Sequence, residues 1–170
     1  VQCDSYVSLY PVYLRSKITV IPNAIPIVEK YACPVGNKGE IKTLLCVGRL
    51  GYQKNQLLLV EAFSRISNTF NLWNLKLVGE GEGRKSIEIK IRELGLQHRI
   101  EVIGTVKNIS ALYVNAHALC IPSRWEGFPN VLGEALAHGL PAVGFDECGG
   151  VRDLIENNQN GLLAPGNDNI

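Results

Sequence analysis

The chain has 170 residues, of which 46% are hydrophobic and 19% charged, and its formal net charge is +1. This balance supports one folded domain with a buried core, and it gives no indication of broad nucleic-acid binding or of attraction to anionic membranes. No apolar run approaches the roughly 20 residues that a transmembrane helix needs.

Five cysteines are spread along the chain in a pattern that argues against metal ligation. No Cys-x-x-Cys pair occurs and no histidine lies at ligand spacing from a cysteine, so we predict no zinc site. Scattered thiols favour a reducing, cytoplasmic environment. Because the chain begins with Val1 and contains no Met, we expect a segment of a longer protein. The cysteines are Cys3, Cys33, Cys46, Cys120 and Cys148.

The first 26 residues differ in pattern from the rest of the chain. Residues 5–14 are predicted as a helix and residues 17–21 as a strand. Pro22 and Pro26 then predict an extended linker, because proline restricts both its own backbone and that of the residue before it.

From residue 43 onward, short apolar strands alternate with amphipathic helices. This alternation predicts an α/β fold with a doubly wound parallel sheet, in which ligands bind at the carboxyl ends of the strands. Glycine-rich or polar loops follow four of the strands, so we expect a site where these loops meet. The predicted strands are residues 43–47, 75–78, 100–103, 118–121, 140–144 and 161–164, and the predicted helices are residues 56–66, 84–94, 108–115, 129–138 and 150–156.

One loop-and-helix segment is the most informative, and it runs Ser-Arg-Trp-Glu-Gly-Phe-Pro-Asn-Val-Leu-Gly-Glu-Ala-Leu from residue 123 to residue 136. Pro129 suits the first turn of a helix, whose free N–H groups and positive dipole end can receive a phosphate without a metal ion. Glu126 precedes this helix and Glu134 lies within it, and carboxylates are good acceptors for sugar hydroxyls. The segment therefore predicts a site that holds a phosphate between two sugar-like rings, as in a nucleotide sugar.

Arg49 and Lys54 follow the first strand of the predicted sheet. An arginine can fork onto phosphate oxygens and a lysine supplies a point charge. Because the chain has no Asp-x-Asp motif for a divalent cation, these two cations offer a metal-free way to stabilise a departing nucleoside diphosphate. Considered alone, Lys54 is better explained as an ordinary solvated charge.

Several motifs, occurring in this order, resemble those of glycosyltransferase family 4, the large retaining group with the GT-B fold. Residues 48–55, Gly-Arg-Leu-Gly-Tyr-Gln-Lys-Asn, resemble its phosphate-binding segment, and residues 126–134 resemble its Glu-x7-Glu signature. Residues 20–26 resemble its interdomain linker, and residues 77–81 and 139–143 also match. The resemblance covers most of the chain.

The resemblance implies the C-terminal, donor-binding half of a GT-B fold. Residues 1–26 would be the tail of the acceptor domain and the linker, and residues 27–170 would form a nucleotide-sugar-binding, Rossmann-like domain. The closing helices of the family would follow the last residue of this chain.

The resemblance also implies a role for each matching residue. Arg49 and Lys54 would bind the diphosphate, since the complete Gly-Arg-Leu-x3-Lys-Asn pattern outweighs the solvated-charge alternative. Glu126 would bind the hydroxyls of the donor hexose and act with these two cations in catalysis, while Glu134 would bind the ribose diol. Backbone near the third strand would line the base, and amides at the helix tip would bind phosphate. The remaining candidate residues are Gly104, Val106, Gly127, Phe128, Asn130 and Val131.

Two residues depart from the family pattern. Pro129 stands where the family often has Gly, which removes one backbone donor from the phosphate cradle. His117 stands where Asp is usual, and we interpret this as a structural change.

Arg84 is equally compatible with a phosphate contact and with local capping. The glycine-rich run at residues 79–83 is interpreted as a tight turn rather than a dinucleotide fingerprint.

The resulting hypothesis is a retaining hexosyltransferase that uses a nucleotide diphosphate sugar, UDP- or GDP-linked, without a bound metal or other cofactor. Its expected partners are this donor and a glycan or lipid-linked acceptor held by another domain, with no nucleic acid. The expected setting is bacterial polysaccharide or lipopolysaccharide synthesis in the cytoplasm, with peripheral contact of the full-length enzyme at the inner membrane. We expect little activity from this segment alone.

Three alternatives stay open. A GT-B sugar-nucleotide epimerase is disfavoured by the Glu-x7-Glu pair. A nicotinamide-dependent oxidoreductase is disfavoured because no Gly-x-Gly-x-x-Gly motif with a following acidic residue is present. A non-catalytic module that binds a sugar nucleotide is compatible with every residue of the sequence.

Overall fold

The computed structural model describes residues 7, 10–19, 21, 23–25, 27–36 and 39–166, which form a parallel sheet with helices on both faces. The strands in this part of the chain are β1 (Lys42–Val47), β2 (Trp73–Val78), β3 (Ile100–Ile103), β4 (Ala118–Ile121), β5 (Ala142–Phe145) and β6 (Gly161–Ala164). The helices there are α1 (Val12–Arg15), α2 (Gln56–Ile66), α3 (Arg84–Glu93), α4 (Ile109–Val114), α5 (Asn130–Ala137) and α6 (Gly149–Arg152).

The strand order is β3-β2-β1-β4-β5-β6, and every neighbouring pair is parallel. Parallel strands need crossover connections, and the helices between the strands supply them. This is the order of a Rossmann-like doubly wound sheet, so the predicted fold class is confirmed.

The central strand β1 shows why the sheet is covered on both faces. Leu45 and Cys46 are adjacent, point to opposite faces, and are 0% and 3% exposed. Helices α2 and α3 contribute to one core cluster, which includes Phe63 and Ile87. Helices α4, α5 and α6 contribute to the other, which includes Tyr113 and Leu132. The near-continuous apolar strands therefore serve a sheet that is buried on both sides.

The prediction for the N-terminal segment is wrong in two places. Val7 and Val12–Arg15 are helical, but Tyr10 and Pro11 between them are not, so residues 5–14 do not form one continuous helix. Pro11 lacks an amide hydrogen, so it cannot continue a helix that enters from Val7. Residues 17–19 and 21 form a turn and coil, not a strand. Predicted helix residues 5, 6, 8 and 9, linker residues 20, 22 and 26, and Cys3 lie outside the described residues.

The last predicted helix is also shorter than expected, since α6 ends at Arg152 rather than residue 156. The side chain of Asn160 explains the early end. Its amide nitrogen donates to the carbonyl of Leu154 at 3.1 Å, and its oxygen accepts from the amide of Glu156 at 2.8 Å. Because these bonds take the place of helical ones, the chain turns toward β6.

Candidate functional site

The candidate site lies at the point where the order of the sheet changes direction, between the carboxyl ends of β1 and β4. The chain leaves β1 toward β2 on one side and leaves β4 toward β5 on the other. Loops 48–55 and 122–129 therefore diverge, and doubly wound folds bind their ligands in the crevice that results.

The loop after β1 is supported from behind by the glycine-rich loop after β2. The amide of Leu50 donates to the carbonyl of Glu80 at 2.9 Å, and the amide of Gly83 donates to the carbonyl of Leu50 at 3.0 Å. A Cβ atom at Gly81 would overlap the carbonyl oxygen of Leu50. The glycines at 79–83 thus let two loops lie in direct contact, which confirms the tight-turn interpretation.

Gln56 braces the same loop from inside the protein. Its side chain is 1% exposed. The amide nitrogen donates to the carbonyl of Arg49 at 3.0 Å, and the amide oxygen accepts from the amide of Gly51 at 3.2 Å. Both backbone groups would otherwise lack partners in a loop, so the glutamine holds Arg49 and its neighbours in a fixed path.

Lys54 and Glu126 meet across the crevice, as the sequence alone could not show. The aliphatic part of Lys54 lies over Gly48, at the end of β1. Its Nζ donates to Oε1 of Glu126 at 2.5 Å, and the hydroxyl of Ser123 donates to the same oxygen at 2.6 Å. The Glu126 side chain is 7% exposed and that of Lys54 26%. A buried carboxylate is thus held by one cation and one hydroxyl.

Asn55 and Arg124 join the same two loops a second time. Asn55 has a left-handed backbone with φ of 55°, a conformation that asparagine and glycine tolerate best. Its Oδ1 accepts from the guanidinium of Arg124 at 3.2 Å, and the amide of Arg124 donates to the carbonyl of Gln53 at 2.9 Å. Residue 55 therefore occupies a backbone conformation that favours asparagine over most other residues.

Glu134, the second carboxylate of the Glu-x7-Glu signature, lies on α5, and its carboxylate contacts α4. Its Oε2 accepts from the hydroxyl of Tyr113 at 2.9 Å. The carbonyl of Glu134 accepts from Nδ1 of His138 at 2.7 Å, which leaves Nε2 to accept from Ser110 at 2.7 Å. His138 is 3% exposed, so this histidine has a structural role. His117, which stands where the family has Asp, is also structural, since its Nδ1 accepts from the Thr43 amide at 3.1 Å.

The N-terminus of α5 has no side-chain cap. Its N-cap residue is Pro129, which is buried and has no side-chain acceptor to offer. Asn130 is exposed there, and its Oδ1 accepts from the Asn23 side chain at 2.9 Å. Ile25 packs against Gly133, one turn further along the helix. Together with Glu134, residues 23–25 and Asn130 line an open cleft of about 340 Å³.

The structure does not bring Arg49 to the Lys54–Glu126 pair. The Arg49 side chain is 78% exposed, and its guanidinium lies 3.5 Å from the carboxylate of Glu82. Arg84 donates to Glu80 at 2.7 Å and to Glu88 at 2.9 Å, so local ion pairing accounts for its side chain.

The remaining candidates lie at the carboxyl edge of the sheet or at the start of α5. Gly104 and Val106 follow β3, and a Cβ atom at Gly104 would lie 2.6 Å from Oε1 of Glu80. Gly127 is exposed with open space where a Cβ would stand, and Phe128 and Val131 are half-buried.

Cys33 is exposed, whereas the thiols of Cys46, Cys120 and Cys148 lie in or against the core. Burial raises the pKa of Cys46, and it raises the pKa of Cys120 to about 12. Burial is also the largest cause of the raised pKa of Cys148. These thiols therefore stay protonated and are poor nucleophiles and ligands. In the part of the chain that the structure describes, no three His, Cys, Asp or Glu side chains are grouped to hold a metal ion.

Sequence reasoning missed three side chains of this region, namely Ser123, Asn55 and Tyr113. Ser123 stands three residues before Glu126, a spacing at which a loop hydroxyl can reach a carboxylate, and that signal was available. Asn55 ends the segment at residues 48–55, and asparagine is one of the few residues other than glycine that tolerate a left-handed backbone. Tyr113 gave no local signal, because its contact depends on how α4 packs against α5.

Comparison with known proteins agrees with this geometry. The family model described as "Glycosyl transferases group 1" matches residues 28–170. A Campylobacter jejuni α-1,4-N-acetyl-D-galactosaminyltransferase that acts on an undecaprenol-linked glycan is 33% identical over 75% of this chain and 35% of its own length. An Escherichia coli enzyme named UDP-Gal:α-D-GlcNAc-diphosphoundecaprenol α-1,3-galactosyltransferase is 31% identical over 89% of this chain and 42% of its own length.

A solved structure gives the same result for the fold. The apo form of the lipopolysaccharide outer core galactosyltransferase WaaB superposes with a TM-score of 0.77 at 28% identity, over 89% of this chain and 43% of that one. The fold and crevice define a Rossmann-like domain of the kind found in GT-B glycosyltransferases. The chain belongs to the group 1 glycosyltransferase family.

The chain spans little more than a third of the length of the first curated relatives it matches, 37% and 35%. None of the helices that the structure describes has the length and apolar character to cross a bilayer.

Proposed function

We propose that the crevice between β1 and β4 is the donor site of a retaining family 4 hexosyltransferase that uses a nucleotide diphosphate sugar. The observation that supports this most strongly is the meeting of Lys54 and Glu126 at the switch point. One group of this pair suits a phosphate and the other suits sugar hydroxyls, and both are held beside the uncapped start of α5.

Lys54 would exchange partners when the donor binds. In the free protein its ammonium group neutralises the buried carboxylate of Glu126. A diphosphate at the tip of α5 would compete for the same ammonium group, and Ser123 would continue to hold Glu126. Glu126 would then be available to accept hydroxyls of the donor hexose, while Lys54 stabilises the negative charge that grows on the leaving diphosphate.

Arg49 would supply the second cation. Its guanidinium is exposed and its ion pair with Glu82 is a surface pair, which contributes little to stability. Exchange of Glu82 for a phosphate therefore has a small cost. Gln56 fixes only the backbone of Arg49, so the side chain is free to swing toward the crevice.

The amides at the start of α5 would complete the phosphate site. Proline at the N-cap provides no side-chain oxygen, so the first-turn N–H groups near Asn130 and Val131 have no capping side chain. Gly127 leaves the approach to this helix end open. A phosphate here would be stabilised by the amides and by the positive end of the helix dipole.

Glu134 would accept the hydroxyls of the ribose, with Phe128 alongside, and the backbone at Gly104 and Val106 would line the base. UDP or GDP is the proposed nucleotide, and the relative named for UDP-galactose supports the first. We further propose that the reaction retains anomeric configuration and needs no metal ion.

The acceptor is proposed to be a glycan or lipid-linked glycan of a bacterial envelope polysaccharide or lipopolysaccharide, as the names of the relatives indicate. The full-length enzyme would hold this acceptor on a separate domain, joined at residues 1–26, and would work in the cytoplasm beside the membrane. The segment alone is expected to bind nucleotide without transferring sugar at enzyme-like rates.

Thermal unfolding with UDP, GDP, ADP or NAD at millimolar concentration tests the donor site. A ligand at about 100 times its dissociation constant raises the free energy of unfolding by about 2.7 kcal/mol. We expect one nucleoside diphosphate to raise the melting temperature and Glu134→Ala to abolish most of the shift.

Glu93→Ala is the matched control. Glu93 is an exposed helix carboxylate at the C-terminal end of α3, on the amino-end side of the sheet. This variant should respond to nucleotide as wild type does. Stabilisation by NAD alone, or an equal response from Glu134→Ala, would contradict the proposed site.

A further inference from the structure

Tyr113 is a buried aromatic residue with a polar end that reaches the candidate site. Its side chain is 0% exposed and belongs to the core cluster under α4 and α5. A phenylalanine would fill the same apolar space, so the core does not explain the hydroxyl. The hydroxyl lies 2.9 Å from Oε2 of Glu134.

The direction of this hydrogen bond is fixed by its surroundings. Burial raises the pKa of the Tyr113 phenol, and the hydrogen bond to Glu134 and the charge of that carboxylate raise it further. The phenol is therefore protonated at every physiological pH and donates, while the carboxylate accepts. One oxygen of Glu134 is thus occupied by a donor that cannot leave its packed position.

The backbone that carries Glu134 is held by a separate set of contacts. His138 donates to the carbonyl of Glu134, and Ser110 on α4 donates to His138. The rings of Tyr113 and His138 lie 5.2 Å apart. Helix α4 therefore fixes both the backbone and the carboxylate of Glu134, through different residues.

Glu134 also lines the open cleft beside Asn130 and residues 23–25. With Oε2 held by the tyrosine, the rotation of the carboxylate is restricted and Oε1 keeps a defined direction. A vicinal diol needs an acceptor of defined direction, because its two hydroxyls are themselves fixed on a ring.

We propose that Tyr113 is a positioning residue that holds the Glu134 carboxylate in the orientation required to accept the ribose diol of the donor. The proposal rests on the proposed donor site. It adds Tyr113, which lies on α4 and does not itself touch the nucleotide. The hydroxyl of this core tyrosine would thus contribute to nucleotide recognition.

Tyr113→Phe tests this by removing the hydroxyl and keeping the ring. The measurement is the dissociation constant by titration calorimetry for the nucleoside diphosphate that wild type binds most tightly, and for its 2′,3′-dideoxy analogue. We expect Tyr113→Phe to weaken binding of the ribose nucleotide about three- to tenfold, the range of one net hydrogen bond. The dideoxy analogue should bind wild type and Tyr113→Phe equally, because it has no diol to position.

Two further variants separate positioning from structure. Tyr13→Phe, at an exposed tyrosine, should change neither constant. In a Glu134→Ala background, Tyr113→Phe should cause no additional loss of affinity, since the carboxylate that it positions is absent. This comparison also stands if Tyr113→Phe lowers the melting temperature, provided that both proteins are folded at the temperature of titration.

The outcomes distinguish this inference from the donor site itself. Equal weakening for the ribose and dideoxy nucleotides, or wild-type affinity in Tyr113→Phe, would overturn the positioning role and leave the donor site intact. Failure of wild type to bind any nucleoside diphosphate, or unchanged binding in Glu134→Ala, would overturn the donor site and the positioning role with it.

Discussion

The Lys54–Glu126 pair combines a nearly buried carboxylate with a partly exposed ammonium group. Removing a charge from water has a large cost, and here it is offset by one ion pair and by the Ser123 hydroxyl. A pair of this kind contributes modestly to stability while it is intact. Loss of one partner is expensive because the other charge then stays buried without its counter-ion.

Lys54→Met should lower the free energy of unfolding by about 1–3 kcal/mol, because Glu126 is left with Ser123 alone. Glu126→Gln should have a smaller effect, since a freed lysine can reach water. The double variant should therefore be less destabilised than the sum of the two single variants, by about 0.5–3 kcal/mol. Urea unfolding monitored by circular dichroism measures all three.

Lys76→Met provides the control for this cycle. Lys76 pairs with Glu101, whose side chain is 62% exposed, and such pairs contribute about 0–1 kcal/mol. Strict additivity of Lys54→Met and Glu126→Gln would show that the contact does not exist in solution.

For individual residues, the sequence predicted which side chains belong to the site, but it did not predict which of them contact each other. Glu126 and Lys54 were both identified, but their pairing depends on β1 lying beside β4, which local sequence does not specify. Ser123 could have been found from its spacing to Glu126. Tyr113 could not, because the packing of α4 on α5 is a tertiary property.

Among elements, the loops at the carboxyl edge differ sharply in how much room they leave. Neither Gly81 nor Gly127 has a φ in the left-handed range, but the space beside their Cα atoms differs. At Gly81 an added methyl group would overlap the carbonyl of Leu50, whereas at Gly127 it would meet nothing within 4 Å. The first loop is closely packed against its neighbour, and the second leaves open space beside Gly127.

Gly81→Ala should therefore lower the free energy of unfolding by about 1–3 kcal/mol, because the two glycine loops must move apart. Gly127→Ala should leave the free energy of unfolding within about 0.5 kcal/mol of wild type. It should nevertheless weaken nucleotide binding if the donor approaches this backbone closely. Denaturant titration and calorimetry on both variants test the two effects, and a stable Gly81→Ala protein would contradict the packing described.

The elements themselves were largely predictable, and the errors have local causes. Helix α2 and strands β3, β4 and β6 have the predicted bounds, since apolar periodicity and turn residues agree there. Helix α6 was predicted too long because the bonds of the Asn160 side chain do not show in a periodic pattern. The helix near the N-terminus was predicted as continuous through Pro11, although proline interrupts a helix at that point.

At the scale of the whole molecule, the proposed site neutralises the diphosphate with two cationic side chains and with the N–H groups at the start of α5. The described residues offer no cluster that would hold a cation in their place. Because the proposed donor site neutralises the diphosphate with Arg49, Lys54 and the amides of α5, chelation with EDTA should leave the affinity for nucleoside diphosphate unchanged, and added Mg²⁺ or Mn²⁺ should not raise it beyond the effect of ionic strength. Titration calorimetry with and without chelator measures this. A loss of affinity with EDTA that only a divalent cation restores would contradict metal-independent binding.

Lys54 and Glu126 are 72 residues apart along the chain and belong to opposite halves of the sheet. At about 5–20 residues per second, a ribosome would add Glu126 to the chain roughly 4–14 s after Lys54. During that interval β1, β2 and β3 can bury their own cluster against α2 and α3, yet no crevice exists. Capacity to bind nucleotide would therefore arise late in biogenesis, after the most distant strand pairing has formed. In a refolding experiment, the recovery of nucleotide binding would report the pairing of β4 with β1 rather than the earlier formation of secondary structure.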